Sequence, residues 1–338
     1  MNAEATERLV NGRGADETVE GNLKLAPDMI ARLRCPMCGA AIIIRDGQGH
    51  CANPVCHAEY PVIDGTPILI NERNSVFTLD EFVRQDETFF IGRGKLERFL
   101  EERLPDVSRN IGTEDHYDTF ARALLAKRGT PTVLVLGGGI LGKGIQRLLS
   151  YRSIRLIESD VALAPRTILV CDAHDIPFDD GVFDGVIVQA VLEHVADPYR
   201  CVDEIHRVLK PDGLVYAETP FMQQVHGGKY DFTRFTHLGH RRLFRSFNEI
   251  ESGAVCGPGM ALAWSNLYFL LSFTNKKMVR KVIRLIARLL FFPLTYVDSY
   301  LIDKPAALDA ASGFYFLGRK SDCSLSDQAL LALYRGAV

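Results

Sequence analysis

The chain has 338 residues, of which 47% are hydrophobic and 24% charged, with a formal net charge of −3. That balance fits a soluble globular protein and excludes collagen-like, largely disordered and multi-span membrane chains. The length predicts one large domain plus a second domain or small module, and the slightly acidic total offers no global basic field for nucleic acid.

The opening stretch MNAEATERLVNGRGADETVEG is polar and lacks the apolar core of a secretory signal. It predicts a disordered tail over 1–27 and a cytoplasmic, reducing setting. Four of the eight cysteines then cluster as Cys35-Pro-Met-Cys38, twelve residues, Cys51, four residues, Cys56. In a reducing compartment two close thiolate pairs point to a metal rather than to disulfides. Cys35, Cys38, Cys51 and Cys56 on two turns can surround one tetrahedral Zn2+, and four thiolates leave no open position, so the ion would be structural. His50 and His57 flank the second pair and can replace one cysteine. The module is expected over 28–71.

Residues 72–128 read as a helical linker or lid, because GKLERFLEERL and EDHYDTFARALLAK space apolar residues three and four apart. From Thr132 short apolar runs alternate with amphipathic segments: TVLVLGGG, LGKGIQRLLSY, SIRLIESD, TILVCDAH, FDGVIVQA, DPYRCVDEIHRVLK and GLVYAETPF. That alternation predicts a mostly parallel sheet with helices on both faces. Pro165 and the short gap before Thr167 leave little room for a second crossover helix. GFYFLGRK reads as a last strand, so the α/β domain is expected over 129–257 and 308–322, interrupted by an inserted apolar and basic segment, 258–307.

Within the insert there is no Asp or Glu from Ser252 through Val297. Lys277, Arg280, Lys281, Arg284 and Arg288 share one helical face; Met278, Val282, Leu285, Ile286, Leu289 and Leu290 share another. The charges interrupt any apolar span of ~20 residues. A helical pair packed on the sheet is the preferred expectation, with peripheral contact of 276–292 on an anionic membrane as the alternative.

The run Val133-Leu-Val-Leu-Gly137-Gly138-Gly139-Ile-Leu-Gly142 is a strand, a glycine turn and a helix start. Glycines allow close backbone approach, and a helix N-terminus offers free N–H groups. By itself this also fits a dinucleotide site or a packing turn. Glu158 and Asp160, near the end of the next strand, are candidates to hold a ribose diol.

Two resemblances sharpen the reading. Tyr60-Pro-Val-Ile-Asp-Gly-Thr-Pro-Ile-Leu-Ile70, behind the cysteines, resembles the zinc-ribbon activator subunits of tRNA and protein methyltransferases, although the four-residue second spacer is longer than the usual two or three. Asp172-Ala-His-Asp-Ile-Pro-Phe178, Phe183-Asp-Gly-Val-Ile-Val-Gln189, Val191-Leu-Glu-His194 and Arg207-Val-Leu-Lys-Pro-Asp-Gly213 resemble, in order and spacing, the type-11 family of class I S-adenosylmethionine-dependent methyltransferases. This resemblance implies an α/β, Rossmann-like, doubly wound and mostly parallel seven-stranded sheet. It implies S-adenosyl-L-methionine as cofactor: Gly137, Gly138, Gly139 and Gly142 at its methionine part, Asp160 or failing that Glu158 at the ribose, Asp172 and Ala173 at the adenine, and Gln189 beside the methyl donor. Asp184 is expected to be a structural turn residue, and Glu193 and His194 to position the helix and loop. Where the family commonly carries an acidic residue two before the first glycine, this chain has Val135.

The loop after the fifth strand, from Thr219 to His240, mixes His, Tyr, Asp and Arg with aromatics. It lies where open α/β sheets place ligands. His226 is expected as general base, with Tyr230, Asp231 and Arg234 shaping the acceptor pocket; the alternative is that Asp231 and Arg234 form a structural pair. The expected function is methyl transfer by in-line displacement to a small-molecule, sugar-linked or lipid-linked acceptor. Two rivals remain: an RNA methyltransferase that uses the ribbon to bind substrate, and a catalytically degenerate binding module. The RNA reading is disfavoured because Arg32, Arg34 and Arg45 are the only basic residues between 30 and 70.

Overall fold

A computed structural model describes residues 23–84 and 105–337. Part of the expected tail and part of the expected linker, residues 1–22 and 85–104, lie outside the described residues. Residues 23–27 are not tail: Lys24 N donates to Gly65 O, and Leu25 is 1% exposed in the core. The polar composition before it hid this single anchoring leucine.

Four short antiparallel strands come first: β1 Ile42–Arg45, β2 Gln48–Cys51, β3 Glu59–Ile63 and β4 Thr66–Leu69, preceded by the one-turn helix α1 Pro27–Ile30. A second short helix, α2 Leu79–Val83, follows them. Five strands then pair in parallel: β5 Thr132–Leu136, β6 Arg155–Asp160, β7 Leu169–Cys171, β8 Phe183–Gln189 and β9 Leu209–Pro220. Strand β10, Phe247–Cys256, lies at the far edge. Strand β11, Gly313–Lys320, runs antiparallel between β9 and β10. Across this part the order is β7-β6-β5-β8-β9-β11-β10, reversing direction at β5. These seven strands do not stand alone. β4 pairs in parallel with β7 (Ile68 with Val170, Leu69 with Cys171), so the cysteine-bearing module extends the same sheet.

Side chains alternate across the sheet. Leu134, Leu136, Val186 and Val188 face one core, with Cys201, Val202 and Ile205 of α5, Pro198–Val208. Val133, Val135 and Ile187 face the other, with Tyr117, Phe120, Ala121 and Leu124 of α3, Thr113–Leu125, and Ile145 and Leu148 of α4, Ile145–Leu149. Helices therefore cover both faces, as buried parallel strands require. α3 is accordingly a layer of the domain, not linker or lid: its i, i+3, i+4 and i+7 positions are all buried. No helix forms between β6 and β7.

Between β10 and β11 the chain makes a helical hairpin. α7, Pro258–Leu271, follows α6, His237–Leu243, and leads into α8, Lys277–Leu301, and the short α9, Pro305–Ala310. Asp298 of α8 is fully buried and caps α7, accepting from the N–H groups of Gly259 at 2.6 Å and Met260 at 2.8 Å. α8 turns Ile283, Ala287, Phe291 and Leu294 toward α7. Most of its other apolar side chains stay in solvent, including Met278 at 73% and Leu290 at 62% exposed. A last helix, α10 Asp327–Leu331, packs by Leu330.

Candidate functional site: two cavities at the carboxyl ends of the strands

The glycine turn leaves β5 with Gly137 at φ +73°, the left-handed region. A Cβ there would fall 2.5 Å from Val191 Cγ2. Gly138 N donates to Ser159 O at 2.8 Å and Gly139 N to Asp160 Oδ2 at 2.9 Å. β6 thus holds the turn. Burial pushes the Asp160 carboxyl up to about 6, against the lowering pull of the N–H groups of Gly139, Val161 and Ala162.

A cavity of about 180 Å³ opens over this turn, lined by Leu136, Gly137, Asp160, Asp172, Ala173 and Ala190 among others. Asp172 Oδ1 accepts from His174, and its Oδ2 accepts the Ser75 hydroxyl at 2.5 Å. Burial raises this carboxyl, but the His174 and Ser75 bonds prevail and its pKa ends lowered. Ser75, Val76 and Phe77 come from the segment just after β4, and Val76 and Phe77 form part of the wall. Asn71 and Asn74 pin that segment to Asp175 at 3.1 Å each. Sequence reasoning missed this wall; its signal was only the polar run following the ribbon.

A second cavity, of about 220 Å³, lies over β8 and β9 and shares Ala190 with the first. Ala190 has φ +54°, uncommon for a residue with a Cβ. Among the lining residues are Gly142, Gln189, Glu193, Glu218, His226 and Met260. Glu218 Oε2 accepts from Asn110 Nδ2 at 2.8 Å and Gln189 Nε2 at 2.9 Å, while the Tyr216 hydroxyl bonds Oε1. Burial raises the Glu218 carboxyl despite these donors. A carboxylate inside the apolar run GLVYAETPF was the available signal for Glu218, and it was overlooked.

Several expected site residues sit elsewhere. Glu158 is engaged by Arg166 and does not line the first cavity. Gly138 also stays behind, packed on Val135 and Glu158. Gln189 is beside Tyr117 and Glu218 in the second cavity. Asp231 and Arg234 form the structural pair: Arg234 bonds Asp231 and the carbonyls of Gln223, Gln224 and Thr233, and Asp231 accepts from the N–H groups of His226 and Gly227. They shape the loop, not the cavity wall. Tyr230 stacks on Phe77, with ring centroids 5.4 Å apart, and is likewise absent from the second cavity's lining. Asp184 accepts from Thr132 N and Lys210 Nζ, fixing the start of β8. His226 does reach the second cavity. Burial lowers its pKa, but Glu193 and Asp231 outweigh this and the net direction is upward.

The four cluster cysteines converge. Cys35 and Cys56 sulfurs are 3.9 Å apart, Cys38 and Cys51 3.4 Å, and all four lie within 4.8 Å of one another. A tetrahedral Zn2+ with Zn–S bonds of 2.3 Å would set sulfurs about 3.8 Å apart, so the donor set fits. The four cysteines are free thiols, and His50 turns to Glu59 instead.

Residues 149–217 match the methyltransferase domain family. The chain is 31% identical over 115 residues to a demethylmenaquinone methyltransferase of Clavibacter sepedonicus, covering 34% of this chain and 39% of that protein. It is 32% identical over 127 residues to one from Staphylococcus epidermidis, covering 36% and 47%. The chain thus spans less than half the length of these curated relatives. Among solved structures it is similar to 1,6-didemethyltoxoflavin-N1-methyltransferase of Burkholderia thailandensis at 14% identity and a TM-score of 0.40, covering 81% of this chain and 99% of that one. Residues 149–217 are thus similar to a methyltransferase domain, and the strand order around them is that of a Rossmann-like α/β sheet.

Proposed function

We propose that the protein is an S-adenosylmethionine-dependent methyltransferase acting on a small acceptor with an apolar part. The observation that carries this reading is the pair of cavities meeting at Ala190, one over the glycine turn and one over Glu218. The cofactor supplies a methyl group already activated on a sulfonium. The chain must hold the two partners in line and keep water out. Gly137 lets the backbone approach the methionine part, while Gly139 packs against Asp160 and Ala164 and fixes the turn. Asp160 faces the ribose hydroxyls with lone pairs not used by the turn, and Asp172 and Ala173 border the adenine. Val76 and Phe77 close the wall. Gln189, held by Glu218, lines the second cavity next to the shared Ala190. Val135 is buried in β5, so no carboxylate occupies the place where the family commonly has one.

The acceptor cavity adjoins the helical hairpin through Met260 of α7. The outer stripe of α8, with Met278, Val282, Leu285, Ile286, Leu289 and Leu290, is exposed beside Lys277 and Arg284. A contiguous apolar and basic face suits an anionic lipid surface, and none of the described helices is long and apolar enough to cross a membrane. We read the hairpin as a peripheral support that delivers an amphiphilic acceptor. Two of the ribbon's three arginines are spent on Asp179, which weakens the RNA reading.

Isothermal titration with S-adenosylmethionine and its demethylated product tests the cofactor; no binding at millimolar concentration removes the enzyme reading. Transfer of labelled methyl to demethylmenaquinone, the acceptor in the relatives' names, is the first acceptor assay. Co-sedimentation with vesicles containing anionic lipid tests the hairpin: the intact protein remaining in the supernatant refutes membrane contact.

A further inference from the structure

Glu193 lines the acceptor cavity and has no role in the reading above. It is 1% exposed, and neither carboxylate oxygen has a hydrogen-bond partner. An unsatisfied buried carboxylate is costly and calls for a counter-charge. Its Oε1 faces two imidazole nitrogens: His226 Nε2 at 3.5 Å and His194 Nε2 at 3.8 Å. Both separations are too long for good hydrogen bonds. They are close to the ~3.0–3.4 Å edges of a coordination shell with bonds near 2.1 Å.

The far side of each ring supports the same arrangement. His194 Nδ1 lies 2.9 Å from Tyr230 O, and His226 Nδ1 lies 3.3 Å from Gln224 O. A backbone carbonyl accepts only from an N–H, so a proton sits on each Nδ1; with the second proton displaced, as a metal ligand requires, each Nε2 would turn a lone pair toward Glu193. Metal-ligating histidines are oriented in this way. The rings meet edge to face, with centroids 4.9 Å apart and planes at 78°. Gly227 makes room: a Cβ on it would fall 2.4 Å from His194 Nδ1. The Asp231–Arg234 pair, which does not reach the cavity, holds the backbone N–H of His226 at 2.8 Å and thereby sets where that imidazole stands.

We propose that Glu193, His194 and His226 bind one divalent first-row transition ion, separate from the ion of the four cysteines. One carboxylate and two imidazoles form a donor set with open positions, unlike the closed thiolate site. Glu193 and His226 line the acceptor cavity and His194 the cofactor cavity, so the ion stands at their junction. Its open positions take an oxygen donor, which makes the acceptor a hydroxyl-bearing or carbonyl-bearing molecule. His226 is then a ligand and not a free base. The acceptor class rests on the methyltransferase reading; the ion site does not.

The test is cobalt chloride titration of the full-length, zinc-loaded protein, followed by visible absorption and metal counting after gel filtration. The expected result is one Co2+ per chain with d–d bands and no thiolate charge-transfer band, over an unchanged zinc content. Glu193→Gln and His226→Ala should each weaken Co2+ binding at least about 100-fold, more than loss of a supporting contact does. His226 sits in a loop at partial exposure, so its variant keeps the test alive if Glu193→Gln misfolds. No Co2+ binding at millimolar concentration, thiolate charge-transfer bands only, or unchanged affinity in a folded variant overturns the site. S-adenosylmethionine titration of the same samples separates this outcome from failure of the methyltransferase reading.

Discussion

The segment that follows the cysteine module walls the first cavity and is anchored to the module, so damage to the module should be felt at the proposed cofactor site. The perturbation is the double variant Cys38→Ser with Cys56→Ser, which removes one sulfur from each pair. A chelator is unsuitable because it would also strip any ion at Glu193. A structural zinc contributes ~10–16 kcal/mol to the folding of a small module, more than β1 to β3 can replace with a core this small. Once they loosen, Pro36 O no longer receives Asn71 Nδ2, a bond of 3.1 Å. The chain from Asn71 to Phe77 loses an anchor. Val76 and Phe77 wall the first cavity, and losing an ordered apolar side chain from contact is worth about 1.5–3 kcal/mol, a roughly ten- to hundredfold weaker dissociation constant. Titration calorimetry with S-adenosylmethionine measures this, and hydrogen exchange over residues 33–63 confirms that the module has loosened. Phe77→Ala provides the gauge, because it removes the same contact with the metal in place. A loosened module with cofactor affinity within twofold of the parent protein would refute the reasoning.

Asp160 gives a pH signature: its carboxyl is raised to about 6. The raised value means its protonated form is favoured in the free protein, a contribution fully present below about 4 and lost as pH rises through 6. Ribose hydroxyls donate to the ionised form, so cofactor affinity should fall about tenfold per pH unit below 6, and Asp160→Asn should flatten that slope. In Gly139→Ala the new Cβ meets Asp160 Oδ2 at 2.7 Å, Ala164 Cβ at 2.8 Å and Thr167 Oγ1 at 2.9 Å; the expected cost is about 1–3 kcal/mol by denaturant titration, with weakened cofactor binding. Asp298→Ala removes two bonds at the start of α7 and should cost about 1–3 kcal/mol in thermal unfolding, leaving cofactor affinity unchanged.

The parallel strands and the glycine turn were legible because their information is local: TVLVL, FDGVIVQ and the spacing of the words between them. The convergence of the cysteines was legible too, since a metal constrains spacing. What stayed hidden depends on how strands and side chains meet in space, which periodicity does not encode. β4 reads as the last strand of a small module, and nothing in TPIL says that it continues the sheet at β7. Arg166 neutralises Glu158 through a fold of the chain that periodicity does not encode. The sequence leaves Asp231 and Arg234 open between pocket residues and a structural pair, and their charges satisfy each other and the loop backbone. Val282 and Leu290 share an apolar face that suggests core, and the hairpin leaves that face outward.

The union of β4 with β7 also bears on how the chain matures. Ile68 emerges from a ribosome well before Val170, its partner; at typical elongation rates the interval for about 100 residues is roughly 5–20 s. During that wait β4 exposes an unpaired edge to other nascent chains. Early capture of an ion by the four thiols would fold the module and pair one edge of β4 with β3, leaving only the β7-facing edge open until synthesis passes Val170.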